Sequence, residues 1–253
     1  MMRPLPPAFL DRPITHRGLH ALGDGRPENS VAGFRAAIAR GYGIELDLQL
    51  SSDGIAMVFH DYALERLTDA QGAVATRTAE ELQAIPLKDG ESACIPTLAE
   101  VLTVVGGQVP LLIELKDQDG ALGPGIGALE KAVAHDLHGY QGAAALMSFN
   151  PHSVIALAHL APDRPRGLTT CAFSADDWPL VPASRRTELR LIAEYDSADC
   201  CFVSHDHRDL AAPRIAALAE DGAAILCWTI RSAEQEAAAR RHAHNVTFEG
   251  YLA

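Results

Sequence analysis

Seven side chains with acid, base or cationic character stand in four short runs: His16 and Arg17 in ITHRG, Glu45 and Asp47 in GIELDLQL, His60 in VFHD, and Glu114 and Lys116 in LLIELK. Read as a strand, GIELDLQL places Glu45 and Asp47 on one face and Ile44, Leu46, Leu48 and Leu50 on the other. The same parity pairs Glu114 with Lys116 and opposes them to Ile113 and Leu115. Same-face neighbours lie about 7 Å apart along a strand, within reach of one cation. Any half-exposed strand shows this alternation, so it is the coincidence at several strand ends that points to a site.

Three carboxylates sharing a partly buried space repel one another and lose hydration unless something positive sits between them. A divalent cation meets that need, and ligands that are all oxygen indicate a hard ion, Mg²⁺ or Ca²⁺, rather than zinc. Arg17 and Lys116 beside it suit an anionic substrate. His16 and His60 supply imidazoles, the side chain suited to general acid and general base work near neutral pH. Carboxylates, metal, cations and paired imidazoles together indicate phosphoryl-group chemistry.

Such residues converge only if the elements beneath them do. Strand-like runs recur near 13–17, 43–50, 110–116, 143–149, 166–171, 199–204, 223–230 and 245–249. Helical stretches fall between them at 30–40, with Asn29 and Ser30 as caps and Gly41 as stop, and at 125–137, 151–160, 185–195, 209–220 and 232–242. Strict alternation implies parallel strands with crossover helices, and eight repeats in 253 residues favour an α/β architecture closed as a (β/α)₈ TIM barrel. In that architecture the polar residues at the carboxyl ends of strands build the site. Between the second and third barrel strands the spacing breaks. Residues 51–95 read as a small insertion after the second strand, with a second strand-like run ending in His60 and Asp61 and a helix after Thr78. A further helix at 97–105 follows it. No linker or low-complexity tract divides the chain, so 1–253 reads as a single domain.

Composition narrows the function classes. Twenty-one basic against 33 acidic residues give a formal net charge of −12, which argues against nucleic acid and against stable association with anionic membranes. A small anionic molecule carrying a phosphoryl group is the partner expected. The N-terminal stretch is broken by prolines, without a leader-like apolar core, and no run is long and apolar enough to span a bilayer. Five cysteines, an odd number without CxxC spacing, suit buried thiols in a reducing cytoplasm. No motif speaks to the oligomeric state.

At this point the chain resembles the glycerophosphodiester phosphodiesterase family. The resemblance is carried by HRG at 16–18, PENS at 27–30, GIELDLQLSSDGIAMVFHD at 43–61, IPTLAEVL at 95–102, LLIELK at 111–116, SFNP at 148–151 and CWTI at 227–230, in family order over nearly the whole chain. It implies a TIM barrel with a small insertion and hydrolysis of glycerophosphodiesters to glycerol 3-phosphate and an alcohol. It further implies that Glu45, Asp47 and Glu114 bind the metal, that His16 and His60 are the acid and base pair, and that Arg17 and Lys116 hold the phosphate. By the same resemblance Glu28 and Asn29 support the pocket floor and Trp228 forms part of its apolar wall. One departure stands out: where many members close the last strand with a TDxP pattern, this chain reads VTFEGYLA, so Glu249 and Gly250 occupy the rim differently.

Three rival readings remain open on the sequence. One is a lysophospholipase D-like phosphodiesterase acting on lipids. Another is a non-catalytic phosphodiester-binding barrel. The third is a transition-metal hydrolase using the HxH pair His205 and His207, although such pairs belong to a first barrel strand and this one follows the sixth.

Overall fold

A computed structural model describes residues 4–90 and 93–253. The first three residues of the N-terminal stretch, and Glu91 and Ser92 of the 51–95 segment, lie outside the described residues.

Among the described residues the alternating runs form nine strands: β1 (Ile14–Thr15), β2 (Gly43–Leu50), β3 (Ala56–Val58), β4 (Leu111–Leu115), β5 (Ala144–Ser148), β6 (Arg166–Thr170), β7 (Phe202–Asp206), β8 (Ala224–Ile230) and β9 (Asn245–Phe248). Eight pair in parallel around a closed ring, because β1 joins both β2 and β9, while β3 runs antiparallel on the end of β2. This is the (β/α)₈ barrel expected. A short helix α1 (Ala8–Asp11) precedes it. The crossovers carry α2 (Val31–Arg40), α3 (Ala79–Gln83), α4 (Leu98–Val105), α5 (Ala128–Asp136), α6 (Pro151–Leu160), α7 (Ala183–Arg190), α8 (Pro213–Glu220) and α9 (Ala233–Ala239). No helix among the described residues is long and apolar enough to cross a membrane.

Local chemistry sets the helix ends. The Ser30 hydroxyl accepts from the Gly33 amide and starts α2, and Gly41 closes it at φ 69°. Asn29, expected to share the cap, does not: its side chain is spent on Asp47. Capping boxes start α3 (Thr78, Glu81) and α4 (Thr97, Glu100), each cap contributing about 1 kcal/mol. The strand expected at 199–204 begins instead at Phe202. Asp199, at φ 50°, ends the preceding turn, where Arg166 binds its carbonyl and carboxylate.

Strand parity sorts side chains between two cores. Ile44, Leu46, Leu48, Ile113, Leu115, Leu146 and Val203 face the helices. Ile14, Leu112, Ala145, Met147, Phe202 and Leu226 fill the barrel interior, with Leu5 and Phe9 packed against them. Gly167 makes room for that plug: a Cβ there would fall 2.4 Å from the Phe202 carbonyl and 2.5 Å from its ring. Above this layer the interior turns polar.

The excursion between β2 and β4 turns back along β2 through β3, pairing Leu48 with Val58. Met57, Phe59, Leu64, Val74, Leu82, Leu87 and Ile95 form its own apolar cluster. That cluster anchors the turn in which His60 sits.

Candidate active site

Register decides how the acids meet. β2 and β4 align Leu46 with Ile113 on the helix side, and the next inward pair is Asp47 opposite Glu114. Glu45 lies one inward step below Asp47 on the same strand. All three carboxylates are buried, at 2%, 1% and 6% exposure, and one ligand oxygen from each falls within 4.8 Å of the others.

Two cations sit among them. The Lys116 ammonium is 2.7 Å from Asp47 Oδ1 and 2.5 Å from Glu114 Oε1. With three N–H donors, it keeps one for the cavity it lines. Arg17 stands at φ 55°; its backbone N–H donates to Glu45 Oε2 at 2.8 Å, and its guanidinium reaches Glu28 at 2.7 Å and Asp47 at 3.2 Å. The last contact is an ion pair by distance without hydrogen-bond alignment, since Nε has no hydrogen-bond partner.

This setting splits the two acids of β2. Burial, then the neighbouring Asp47 and Glu114 charges, push the Glu45 carboxyl well above its usual range. Burial acts the same way on Asp47, but the charges of Lys116, His60 and Arg17 overcome it and hold that carboxyl far below. Burial would also lower Lys116, yet Asp47 and Glu114 hold it charged well above the ordinary lysine range. A further cation is what would let Glu45 ionise beside Asp47. The donor set therefore fits a hard divalent metal, and the oxygens of Glu45, Asp47 and Glu114 are the ones to hold it.

The two histidines reach the same cavity from different elements. His16 follows β1, where its backbone N–H donates to the Phe248 carbonyl at 2.8 Å. His60 follows β3, and Gln49 of β2 donates to its carbonyl at 3.0 Å. Each imidazole meets a carboxylate through Nδ1: His16 meets Glu249 at 2.5 Å and His60 meets Asp61 at 2.6 Å. Burial lowers the His16 pKa, the Glu249 hydrogen bond opposes this and the Arg17 charge adds to it.

His16, Arg17, Glu45, His60, Glu114 and Lys116 line one cavity of about 70 Å³, with Phe149 and Trp228 as its apolar side. Asp47 lies behind Arg17 and Lys116. Trp228 is fixed by its Nε1–H donating to the Ser204 carbonyl at 3.1 Å and by a T-shaped contact with Phe149. Neither Glu28 nor Asn29 lines the cavity. Glu28 clamps Arg17 and Arg66, while the Asn29 amide donates to Asp47 Oδ2 at 2.9 Å and its Oδ1 accepts from the Asp47 amide at 3.3 Å.

The HxH reading fails on geometry. His205 of β7 alternates with the cavity-lining Ser204 and so faces the helices, its Nδ1 paired with the Thr170 hydroxyl at 2.7 Å. Among the described residues, the groups close enough to hold a metal are the three acids and the cluster His16, His20 and Glu249, which does not involve His207. Sequence reasoning did not assign Asp61, Arg66 or Glu249 to the site. The signal for Glu249 was there, in the departure from TDxP.

The glycerophosphoryl diester phosphodiesterase family model matches residues 16–247. A glycerophosphodiester phosphodiesterase of Caldanaerobacter subterraneus subsp. tengcongensis is 34% identical over 178 residues, spanning 66% of this chain and 70% of its own. A Bacillus subtilis protein to which the same activity is provisionally assigned is 30% identical over 243 residues, spanning 92% of this chain and 90% of its own. Among solved structures, an Oleispira antarctica phosphodiesterase in complex with the product sn-glycerol-3-phosphate has a TM-score of 0.76 at 24% identity, covering 96% of this chain and 94% of that one. A Thermotoga maritima glycerophosphodiester phosphodiesterase has a TM-score of 0.69 at 22% identity, covering 94% of each. At these identities the structural likeness speaks to the fold.

Proposed function

Because the chain belongs to the glycerophosphoryl diester phosphodiesterase family, we propose that this enzyme uses His16, His60 and a carboxylate-bound divalent cation to hydrolyse glycerophosphodiesters to glycerol 3-phosphate and an alcohol. One observation carries the reading: of three clustered buried acids from paired strands, two line a single cavity together with the two cations that touch the cluster and two imidazoles. The product bound by the Oleispira antarctica neighbour supports the same substrate class.

In this reading Arg17 and Lys116 neutralise the negative oxygens of the diester. One imidazole takes a proton from the attacking oxygen as its bond to phosphorus forms, and the other returns a proton to the alkoxide as the second P–O bond breaks. The attacking oxygen is that of water or of the neighbouring glycerol hydroxyl, the latter through a cyclic phosphate. Glu45, Asp47 and Glu114 would hold Mg²⁺ or Ca²⁺, which when bound would supply Lewis-acid neutralisation of the phosphoryl charge. Asn29 and Glu28 hold Asp47 and Arg17 in place, and Trp228 with Phe149 offers apolar surface to the substrate. The segment 51–95 serves as a rim insertion that delivers His60. Burial of four of the five thiols suits work on small diesters in a reducing cytoplasm.

The test is a coupled glycerol 3-phosphate assay over a panel of glycerophosphodiesters, with EDTA followed by re-addition of Mg²⁺ or Ca²⁺. Activity lost to EDTA and restored by one ion is the expected result. Folded Glu45→Ala and His16→Ala proteins are expected to lose nearly all turnover; retained turnover in either would sink the assignment.

A further inference from the structure

Glu249 sits where the barrel closes. Its backbone N–H donates to the Ile230 carbonyl at 2.9 Å, while the His16 N–H donates to the carbonyl of the residue before it at 2.8 Å. The two side chains are therefore brought together by backbone pairing at the ends of β1, β8 and β9. From the geometry we infer that Glu249 is the positioning residue of His16, fixing the imidazole as the Nδ1–H form with Nε2 as the nitrogen presented to the cavity.

An ionised carboxylate has acceptors and no donor, so a 2.5 Å contact with Nδ1 requires the proton on that nitrogen. Nε2 then carries a lone pair in the neutral ring and a proton in the charged ring, the two states an acid–base group must visit. Arg231 holds the carboxylate from the other side, at 2.7 Å from Oε1. His20 Nε2 approaches Oε2 at 3.4 Å, a weaker contact. Arg17 from its own strand end and Asp47 from β2 also act on His16, and Glu45 from β2, His60 from the turn after β3, and Glu114 and Lys116 from the end of β4 face it across the cavity.

The second histidine repeats the device with unrelated residues. His60 Nδ1 lies 2.6 Å from Asp61, and Arg66 grips Asp61 at 2.5 Å. Each imidazole in the cavity thus has a carboxylate on Nδ1 and an arginine behind that carboxylate. His16, His20 and Glu249 could also be taken for a second metal centre, since their ligand atoms fall within 4.8 Å. The pairing of Glu249 speaks against it, because Arg231 already neutralises its charge at Oε1 and the short contact at Oε2 is with His16 Nδ1.

The inference rests on His16 acting as acid or base in the proposed reaction, and two measurements separate the two claims. Nitrogen-15 NMR of histidine-labelled protein, with His16 assigned by the loss of its signals in His16→Asn, reads the tautomer without any turnover. Nδ1–H is expected in the wild type and a mixture or Nε2–H in Glu249→Gln, whose amide can turn a donor toward Nδ1. In the assay, Glu249→Gln is expected to lower kcat about 10- to 100-fold with KM held within about twofold. One limb of the pH profile is expected to move to lower pH, because the charge that stabilised the imidazolium is gone. Glu249→Asp, which keeps that charge, should restore the position of the limb.

Wild-type kcat and pH profile in Glu249→Gln, a loss confined to KM, an Nε2–H tautomer in the wild type, or a bound zinc equivalent lost with Glu249 would each overturn the inference. The wild-type tautomer needs no variant at Glu249, so a misfolded Glu249→Gln leaves the question decidable. A wild-type protein inactive on every glycerophosphodiester would refute the functional reading and leave the tautomer measurement standing.

Discussion

Asn29 carries a load that its place outside the cavity conceals, and Asn29→Ala measures it. The substitution removes a hydrogen bond to a buried carboxylate, at 2.9 Å, and a longer one from the Asp47 amide, at 3.3 Å. The first is worth about 1.5–3 kcal/mol and the second about 0.5 kcal/mol, at the low end because of its length. Asn29 also stands at φ 54°, a left-handed conformation that asparagine tolerates and alanine resists by about 1 kcal/mol. The sum is about 3–4.5 kcal/mol, or roughly 6–18 °C in Tm for a chain of this length. Asn29→Gly loses the same hydrogen bonds without the left-handed strain, and should fall about 1 kcal/mol less. Calorimetry of metal-free protein reads all three. Metal titration should show a further effect, since Asp47 without its support is expected to bind a divalent ion about 10- to 100-fold more weakly. A Tm loss under 2 °C in Asn29→Ala, or unchanged metal affinity, would refute the claim that Asn29 holds Asp47 in place.

Two further outcomes follow from the packing and from the buried thiols. Gly167→Ala, forcing a Cβ against the Phe202 carbonyl and ring, is expected to cost about 1–3 kcal/mol, and trimming the ring in Gly167→Ala/Phe202→Leu should recover part of it; a Tm equal to wild type in the single variant would contradict the packing. Burial pushes the thiols of Cys171 and Cys201 up to about 11 and that of Cys227 up to about 12, from an ordinary 9.0. The folded state therefore holds protons that the unfolded state releases, so stability is expected to fall as pH climbs from about 9 through about 11. Urea unfolding across that range checks the sign, and a rise in stability would refute it.

Much of the fold was legible because its signals are local. Thr78 with Glu81 marks a helix start within four residues, and Gly41 marks a stop. Both are interactions between near neighbours, and both stand in the structure. The start of β7 was not legible, because Cys200 and Cys201 are apolar enough to read as strand. What delays the strand is the grip of Arg166 on Asp199 from 33 residues away. The role of Asn29 was hidden for a related reason. Beside a helix start its type reads as a cap, and only the approach of β2 shows that Ser30 does the capping alone.

The sequence by itself determined the parity of the acids and the alternation of strand and helix, since both are periodicities of one chain's own backbone. It could say that Glu45 shares a face with Asp47, and Glu114 with Lys116. Whether Asp47 stands opposite Glu114 depends on register, which the packing of Leu46 and Ile113 against the helices sets between segments far apart in the chain. Only closure of the barrel brings Glu249 onto His16 across 233 positions. No local pattern encodes that contact, because it exists only once eight strands have met in a ring.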